Sequence, residues 1–240
     1  MNWNRILIIC FLIAILVISC KKEDEKNGQT SAVFNSNLLY GTMTDQEGNI
    51  YKTIQIGDQT WMAENLRTTK YTDGSVIPNI SEGFSWMYQN VSMGKCCTNQ
   101  NSSNNDTITT YGRLYNWYAL NTGKLCPKGW HIPTDTEWTT LINILGGDSI
   151  SGGKLKEKGF THWVNPNLGA DNESGFTALP AGNRDWSGGF DKYGKFASWW
   201  SLTEHDLFAS YYRTLRYDSS KVYRAFDSKS CGFSVRFVKD

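Results

Sequence analysis

The sequence predicts an α+β domain of antiparallel sheets, one or two short helices and long loops. Three observations carry that prediction. The stretch Cys126-Pro-Lys-Gly-Trp-His-Ile-Pro-Thr-Asp-Thr-Glu-Trp138 contains one well-marked helix start, because Thr134 is an N-cap type and Glu137, three residues on, can complete a capping box. Strand-like aromatic segments with tight-turn signals lie on both sides of it. The connections between them are long and rich in Asn, Ser and Gly.

Taken in order, residues 1–19 read as a lipoprotein signal peptide. Arg5 gives a positive start, and residues 6–18 form an apolar run too short for a comfortable membrane span. Val17-Ile-Ser-Cys20 resembles a bacterial lipobox, in which Cys20 is lipidated and becomes the mature N-terminus. Residues 20–37 are polar and charged without apolar periodicity, so a lipid-anchored flexible tether is expected there. Lys22-Glu-Asp24 resembles the acidic signal that sends lipoproteins of the Bacteroidetes group to the cell surface. The expected location is therefore the outer membrane, lipid-anchored and facing outward.

The folded part is expected at 38–240 as a single domain. Strands are predicted at 38–44 and 50–56 around the turn Asp45-Gln-Glu-Gly-Asn49, and Gly57-Asp58 suits a type II′ hairpin into Gln59-Thr-Trp-Met62. Asp45, Glu47 and Asn49 are residue types that hold calcium, but the twelve-residue loop spacing is absent and a plain turn is the expectation. Calcium is the one cofactor left open.

Residues 80–110 read as a long exposed loop carrying Cys96-Cys97, and residues 111–120 as a short helix whose aromatics would also tolerate a strand. After Thr134, residues Trp138, Leu141, Ile142 and Leu145 repeat at i, i+3, i+4 and i+7 until Gly146-Gly147. Trp130, His131 and Trp138 are expected as turn and core residues. Residues 152–163 and 169–175 read as loops, as does the stretch from Pro180 to Gly189. Strands are predicted at 176–179, 196–202, 208–217, 221–226 and 233–238.

Composition narrows the function classes. Lys plus Arg number 24 against 23 Asp plus Glu, with no basic stripe, so nucleic acid is excluded as a partner. The three histidines are scattered and no Cys-x-x-Cys pair exists, which argues against a metal site. There is no Gly-x-Ser-x-Gly elbow, no His-Glu-x-x-His helix and no carboxylate pair tied to a cleft, so no catalytic residue is nominated. Of six cysteines, Cys96, Cys97, Cys126 and Cys231 fall in the folded part and allow three pairings. Export permits disulfides and neighbours rarely pair, which leaves Cys126 with Cys231, or with one of Cys96 and Cys97.

Five motifs carry a family resemblance: Trp61-Met-Ala-Glu-Asn-Leu66, the stretch from Cys126 to Trp138, Gly175-Phe-Thr-Ala-Leu-Pro-Ala-Gly182, Trp199-Trp-Ser201 and Phe233-Ser-Val-Arg236. Together they resemble the Fibrobacter succinogenes major paralogous domain family, common in lipoproteins and surface proteins. That family looks related to the C-type-lectin-like and sulfatase-modifying-factor folds, which implies paired terminal strands and a loop-rich binding half. The family usually ends Ser-Val-Arg-Cys. Here Phe237 takes the Cys place and Cys231 lies six residues earlier.

The expected function is a non-catalytic binding module for a glycan or protein ligand, since 14% of residues are aromatic and many lie beside loops. On the strand 208–217, Ala209, Tyr211, Arg213 and Leu215 share one face and Ser210, Tyr212, Thr214 and Arg216 the other. With the first set as core, Tyr212 and Arg216 are exposed. With Asn183, Arg184, Asp185, Trp186, Glu204, His205 and Asp206 they form the expected ligand-binding surface, while Trp199 and Trp200 are expected in the core. Two other readings are weighed. An enzyme like the formylglycine-generating proteins needs paired late cysteines, and only Cys231 is there. A structural adhesin is the third, with Asp106-Thr-Ile108 and Asp148-Ser-Ile150 resembling an O-glycosylation pattern.

Overall fold

A computed structural model describes residues 29–240; the expected signal peptide and the lipid site Cys20 lie outside the described residues. The chain runs through strands Gly41–Thr44 (β1), Ile50–Ile56 (β2) and Gln59–Met62 (β3), helix Gly83–Tyr88 (α1), strand Cys96–Thr98 (β4), helix Asn105–Tyr111 (α2), strand Arg113–Asn116 (β5) and helix Trp117–Leu120 (α3). It continues with strand Trp130–His131 (β6), helices Asp135–Ile144 (α4) and Asp148–Leu155 (α5), then strands Asn183–Arg184 (β7), Phe190–Asp191 (β8), Phe196–Glu204 (β9), Ala209–Arg216 (β10), Val222–Ser228 (β11), Gly232–Phe233 (β12) and Val238–Lys239 (β13). They build three sheets, ordered β1-β2-β3-β13-β6, β11-β10-β9 and β4-β5-β12-β7-β8, and all their strand pairs are antiparallel. The architecture is largely antiparallel sheet, as the sequence predicts, with five short α-helices among the described residues where one or two are expected.

Several local readings hold for local reasons. Gly57 takes φ +60°, the sign that the first position of a type II′ hairpin requires, and joins β2 to β3 in the expected register. Asp45 is the centre of a plain turn. Its carboxylate accepts the backbone N–H groups of Glu47 and Asn49, the Asn49 amide and the Tyr51 hydroxyl. Helix α4 begins with the complete capping box: Glu137 N–H donates to Thr134 Oγ1 (3.2 Å), and Glu137 Oε2 accepts Thr134 N–H (2.8 Å). Gly146 and Gly147, at φ +100° and +88°, end it.

Trp138, Leu141 and Ile142 of α4 pack with Trp61, Phe176, Trp199 and Leu215 in one apolar core; Trp61 and Trp138 ring centroids lie 4.6 Å apart. Trp199 and Trp200, adjacent on β9, point to opposite faces, and Trp200 enters a second core with Tyr115, Trp117 and Phe233. The first six residues of β9 are thus covered on both sides apart from the half-buried Phe196, so alternation along that stretch does not separate inside from outside.

Other readings are corrected. The region 80–110 holds α1 and α2 rather than one long loop; Asn104 caps α2 by accepting Thr107 N–H. Residues 111–120 split into the end of α2, β5 and α3. Residues 148–155 are helical although 152–163 read as loop, and the strand predicted at 233–238 is interrupted into β12 and β13. Residues 176–179 form no strand beyond a bridge from Ala178 to Lys156.

The expected cysteine bridge is absent: Cys96, Cys97, Cys126 and Cys231 are all free thiols. They sit in different surroundings. Cys97 lies by the Arg184 guanidinium, Cys231 by Asp227 and the Trp186 backbone, and Cys126 in the wall of a separate cleft with Trp130. Burial pushes the Cys96 and Cys97 thiols up to about 12 and about 11, and those of Cys126 and Cys231 higher still.

The end of the expected tether is held against the domain. Gln29 N–H donates to Asp106, Ser31 Oγ lies 2.9 Å from His162 Nε2, Val33 N–H donates to buried Glu157, and the Asn35 amide donates to Asn172 O. Residues 29–37 form a strap across the fold.

Loop carbonyls outside sheets and helices need donors, and buried cations supply many of them. Lys156 Nζ donates to the carbonyls of Leu168, Arg216 and Ser219 at 2.9–3.0 Å, and burial pulls its pKa down to about 8. Lys229 Nζ holds Glu204 and the carbonyls of Asp206 and Leu207. Arg184 and Arg236, both buried, do the same at two further sites.

His131 joins the C-terminus to α4: Nδ1 lies 2.7 Å from Asp240 Oδ1 and Nε2 lies 2.6 Å from Glu137 Oε1. Burial pulls the ring pKa down, but the bonds and charges of Asp240 and Glu137 outweigh it and raise it above 6.5. A raised folded value stabilises the fold fully below 6.5 and loses that stabilisation as pH climbs through the raised value. The melting temperature should therefore fall over that window, and His131→Gln should flatten the fall. An unchanged profile in the variant would show that the ring is not charged there.

Candidate functional site

The site is built from α1, the turn between β7 and β8, and the end of β11. On α1, Trp86 is the buried anchor: its indole N–H donates to Ser230 O (3.0 Å), and the Arg184 guanidinium lies over its ring at 4.5 Å. With Trp86 directed inward, Phe84 and Tyr88 face outward, 77% and 59% exposed, with ring centroids 4.7 Å apart.

Arg184 belongs to the scaffold. It is fully buried, and it donates to the carbonyls of Gly188, Ile80 and Ser81. Asp185 closes the next turn by accepting Gly189 N–H (2.9 Å) and the Ser187 hydroxyl (2.6 Å). Gly188, at φ +93°, lies so close to Gly83 that a Cβ there would sit 2.5 Å from its backbone, so the turn is locked to the start of α1. This presents Trp186 at the tip, 53% exposed. Trp186, Met87, Tyr88, Val91, Ser228 and Ser230 line a groove of about 400 Å³.

The same Ser228–Ser230 segment carries Lys229, which fixes the hairpin between β9 and β10. On that hairpin Asp206 accepts the backbone N–H groups of Phe208 and Ala209 and bonds His205 Nδ1 at 2.8 Å, and these bonds keep its carboxyl below the usual range. His205 stacks flat on Phe226 at 3.8 Å, and Arg224 lies 3.7 Å from the Tyr211 ring centroid. Leu207 and Phe208 are about three-quarters exposed at the tip (75% and 74%). The groove and the hairpin both border the Ser228–Ser230 segment, the groove through Ser228 and Ser230 and the hairpin through the buried Lys229.

Of the residues expected from sequence, Trp186 lines the groove with Ser228 and Ser230, while Glu204 and Asp206 are bonded to Lys229 and His205 is bonded to Asp206 on the hairpin. Asn183 is half-buried in β7, opposite Asp191. Arg184 and Asp185 support the turn from within. Tyr212 does not belong to the surface: it packs against Phe233 and Trp200, and burial raises its pKa to about 12. Arg216 is paired with Asp218 at the far end of β10, roughly 23 Å from the hairpin at about 3.3 Å per residue. The two corrections have different causes: the Trp200–Phe233 core covers Tyr212, whereas Arg216 is set apart by its distance along β10.

Sequence reasoning missed Phe84, Met87, Tyr88 and Val91. Their spacing of i, i+3, i+4 and i+7 is a helical stripe, and it is legible once 80–110 is not treated as loop.

No described residues form a group of three His, Cys, Asp or Glu that would hold a metal ion, and no described helix is long and apolar enough to cross a membrane. The arrangement is that of a small, sheet-rich scaffold with exposed aromatics on clamped loops. Residues 54–239 match the profile of the Fibrobacter succinogenes major domain, and the chain belongs to that family. No curated protein and no solved structure matches it.

Proposed function

We propose that this chain is a lipid-anchored, extracytoplasmic binding module of C-type-lectin-like fold, held at the outer membrane through Cys20, and that it takes a glycan or protein ligand on the Trp186 groove. The observation that carries this reading is Trp186, half exposed on a turn locked by Asp185 and Gly188, beside Tyr88 and the hydroxyls of Ser228 and Ser230. A rigid aromatic next to hydroxyl groups offers a large contact area with polar handles and little ordering cost. The lectin-like part of the reading rests on the antiparallel pairing of β3 with β13 near the two ends of the domain and on the loop-rich half that carries the groove.

Two observations weigh against catalysis. The Cys231 thiol, raised by burial, is protonated at neutral pH, which disfavours thiol chemistry. Ser31, His162 and Glu157 form a hydrogen-bonded chain, but the amides of Ser31 and Ala32 donate to Thr110 and Thr30, leaving neither for an oxyanion.

The test is a glycan array, followed by titration of the best hit or of a captured protein. Trp186→Ala should weaken binding by at least about 2 kcal/mol while the melting temperature stays unchanged, because the side chain is an exposed anchor. Undiminished binding by that variant would place the ligand elsewhere.

A further inference from the structure

Two arginines are left without a counter-charge. Among the described residues, Arg213 and Arg224 pair with Asp135 and Arg216 with Asp218, while Arg184 and Arg236 are buried against carbonyls. Arg67 and Arg113 form no such pair, are only half-buried, and line one cleft of about 290 Å³ with Asn49, Thr69, Asn105 and Thr109. Their positions are fixed by the fold. Arg67 lies over the Tyr51 ring at 4.4 Å and donates from Nη2 to Ile50 O (2.9 Å); Arg113 donates from Nε to Arg67 O (3.1 Å). Nη1 of Arg67 is enclosed without an acceptor.

Glu47 also borders the cleft but is engaged elsewhere. Its carboxylate accepts the Thr68 and Thr69 hydroxyls (both 2.8 Å) and Thr69 N–H, and it faces Lys70 at 4.0 Å. Burial raises its pKa, yet those bonds outweigh it and keep the group ionised. With Glu47 bonded to Thr68 and Thr69 and facing Lys70, neither guanidinium has a carboxylate partner and the cleft is positively charged. The guanidinium fork matches a carboxylate, and the neutral amides and hydroxyls around it suit ring hydroxyls. The volume lies at the small end of ligand pockets, which start near about 300 Å³. Through Arg67 and Thr109 the cleft continues into a groove of about 540 Å³ bordered by Lys52 and Glu64.

We infer that this cleft binds the carboxylate of an acidic sugar, one uronate unit of a glycan whose neighbouring units lie along the adjoining groove. It shares no lining residue with the Trp186 groove and does not depend on it.

The experiment is calorimetric titration of the purified protein with tri-galacturonate, its neutral methyl ester and inorganic sulfate. Saturable binding is expected for the acid, weaker by about tenfold or more for the ester, for Arg67→Gln and for Arg113→Gln, since each removes a charge-assisted contact. Arg216→Gln, at a residue that lines neither the cleft nor the groove, should bind like the parent. If Arg67→Gln fails to fold, Arg113→Gln carries the test, because Arg113 supports no aromatic ring. Absence of saturable binding, equal binding of the ester, sulfate binding as tight as the acid, or full affinity in a folded Arg113→Gln would each overturn the inference.

Discussion

Arg236→Met is expected to lower the stability of the fold by about 3–5 kcal/mol, a large part of the roughly 5–15 kcal/mol that holds a domain together. The guanidinium is buried at 1% exposure and lies over Phe176 at 4.1 Å and Trp199 at 5.4 Å. It donates from Nε to Asn65 Oδ1 (2.9 Å), from Nη1 to the carbonyls of Met62 and Phe176, and from Nη2 to Thr177 O (3.1 Å). Methionine fills much of the volume but leaves those acceptors buried and unpaired. Relief of the buried charge, whose pKa burial pulls down to about 9, offsets only part of the loss. Asn65 is the natural partner for a double-mutant cycle. Its Oδ1 also accepts the Trp199 indole N–H (2.9 Å), and its amide donates to Tyr111 O (2.9 Å) and Ser234 Oγ (3.3 Å). Arg236→Met and Asn65→Ala should be less than additive by more than about 1 kcal/mol. Urea unfolding followed by tryptophan fluorescence measures both; a loss below about 1 kcal/mol for Arg236→Met would remove the guanidinium from the centre of this account.

Gly153→Ala should also destabilise, by about 2 kcal/mol, although alanine is the better helix former by about 1 kcal/mol. A Cβ at Gly153 would sit 2.3 Å from Gly169 O and 3.0 Å from its carbonyl carbon, and one at Gly152 would sit 2.5 Å from Lys221 O. Helix α5 lies against these two backbones, and backbone cannot swing aside as a side chain can, so overpacking exceeds the propensity gain. Ser149→Ala, on the exposed side of the same helix, should change stability by less than about 0.5 kcal/mol. A stabilised Gly153→Ala would mean that α5 does not pack as described.

The same two sites show why part of the fold was illegible. The stretch from Gly152 reads as loop because propensity weighs each residue alone, whereas here the absence of a side chain lets a helix approach neighbouring backbone. Asn65 and Arg236 stand in two of the recognised motifs, and the structure gives them a structural role: they join segments 171 residues apart. Arg184 stood among the expected ligand-binding residues because charged residues in a loop read as exposed, and it is buried beneath Trp86 and Phe190. Of the residues expected in the binding surface, Trp186 lies at an exposed turn tip, and Glu204, His205 and Asp206 are exposed at the β9–β10 hairpin.

By itself the sequence determined whatever rests on neighbours a few residues apart or on a period: the Thr134–Glu137 capping box, the Gly57 hairpin, the stripe of α4, most strands of the last third, and the family. Tertiary structure alone decided that Tyr212 packs with Trp200 and Phe233, where the four thiols lie, that residues 29–37 lie down as a strap, and that buried cations hold the loops. The physical reason is that burial and hydrogen-bond pairing depend on what folds over a residue, and in this chain those partners come from distant segments.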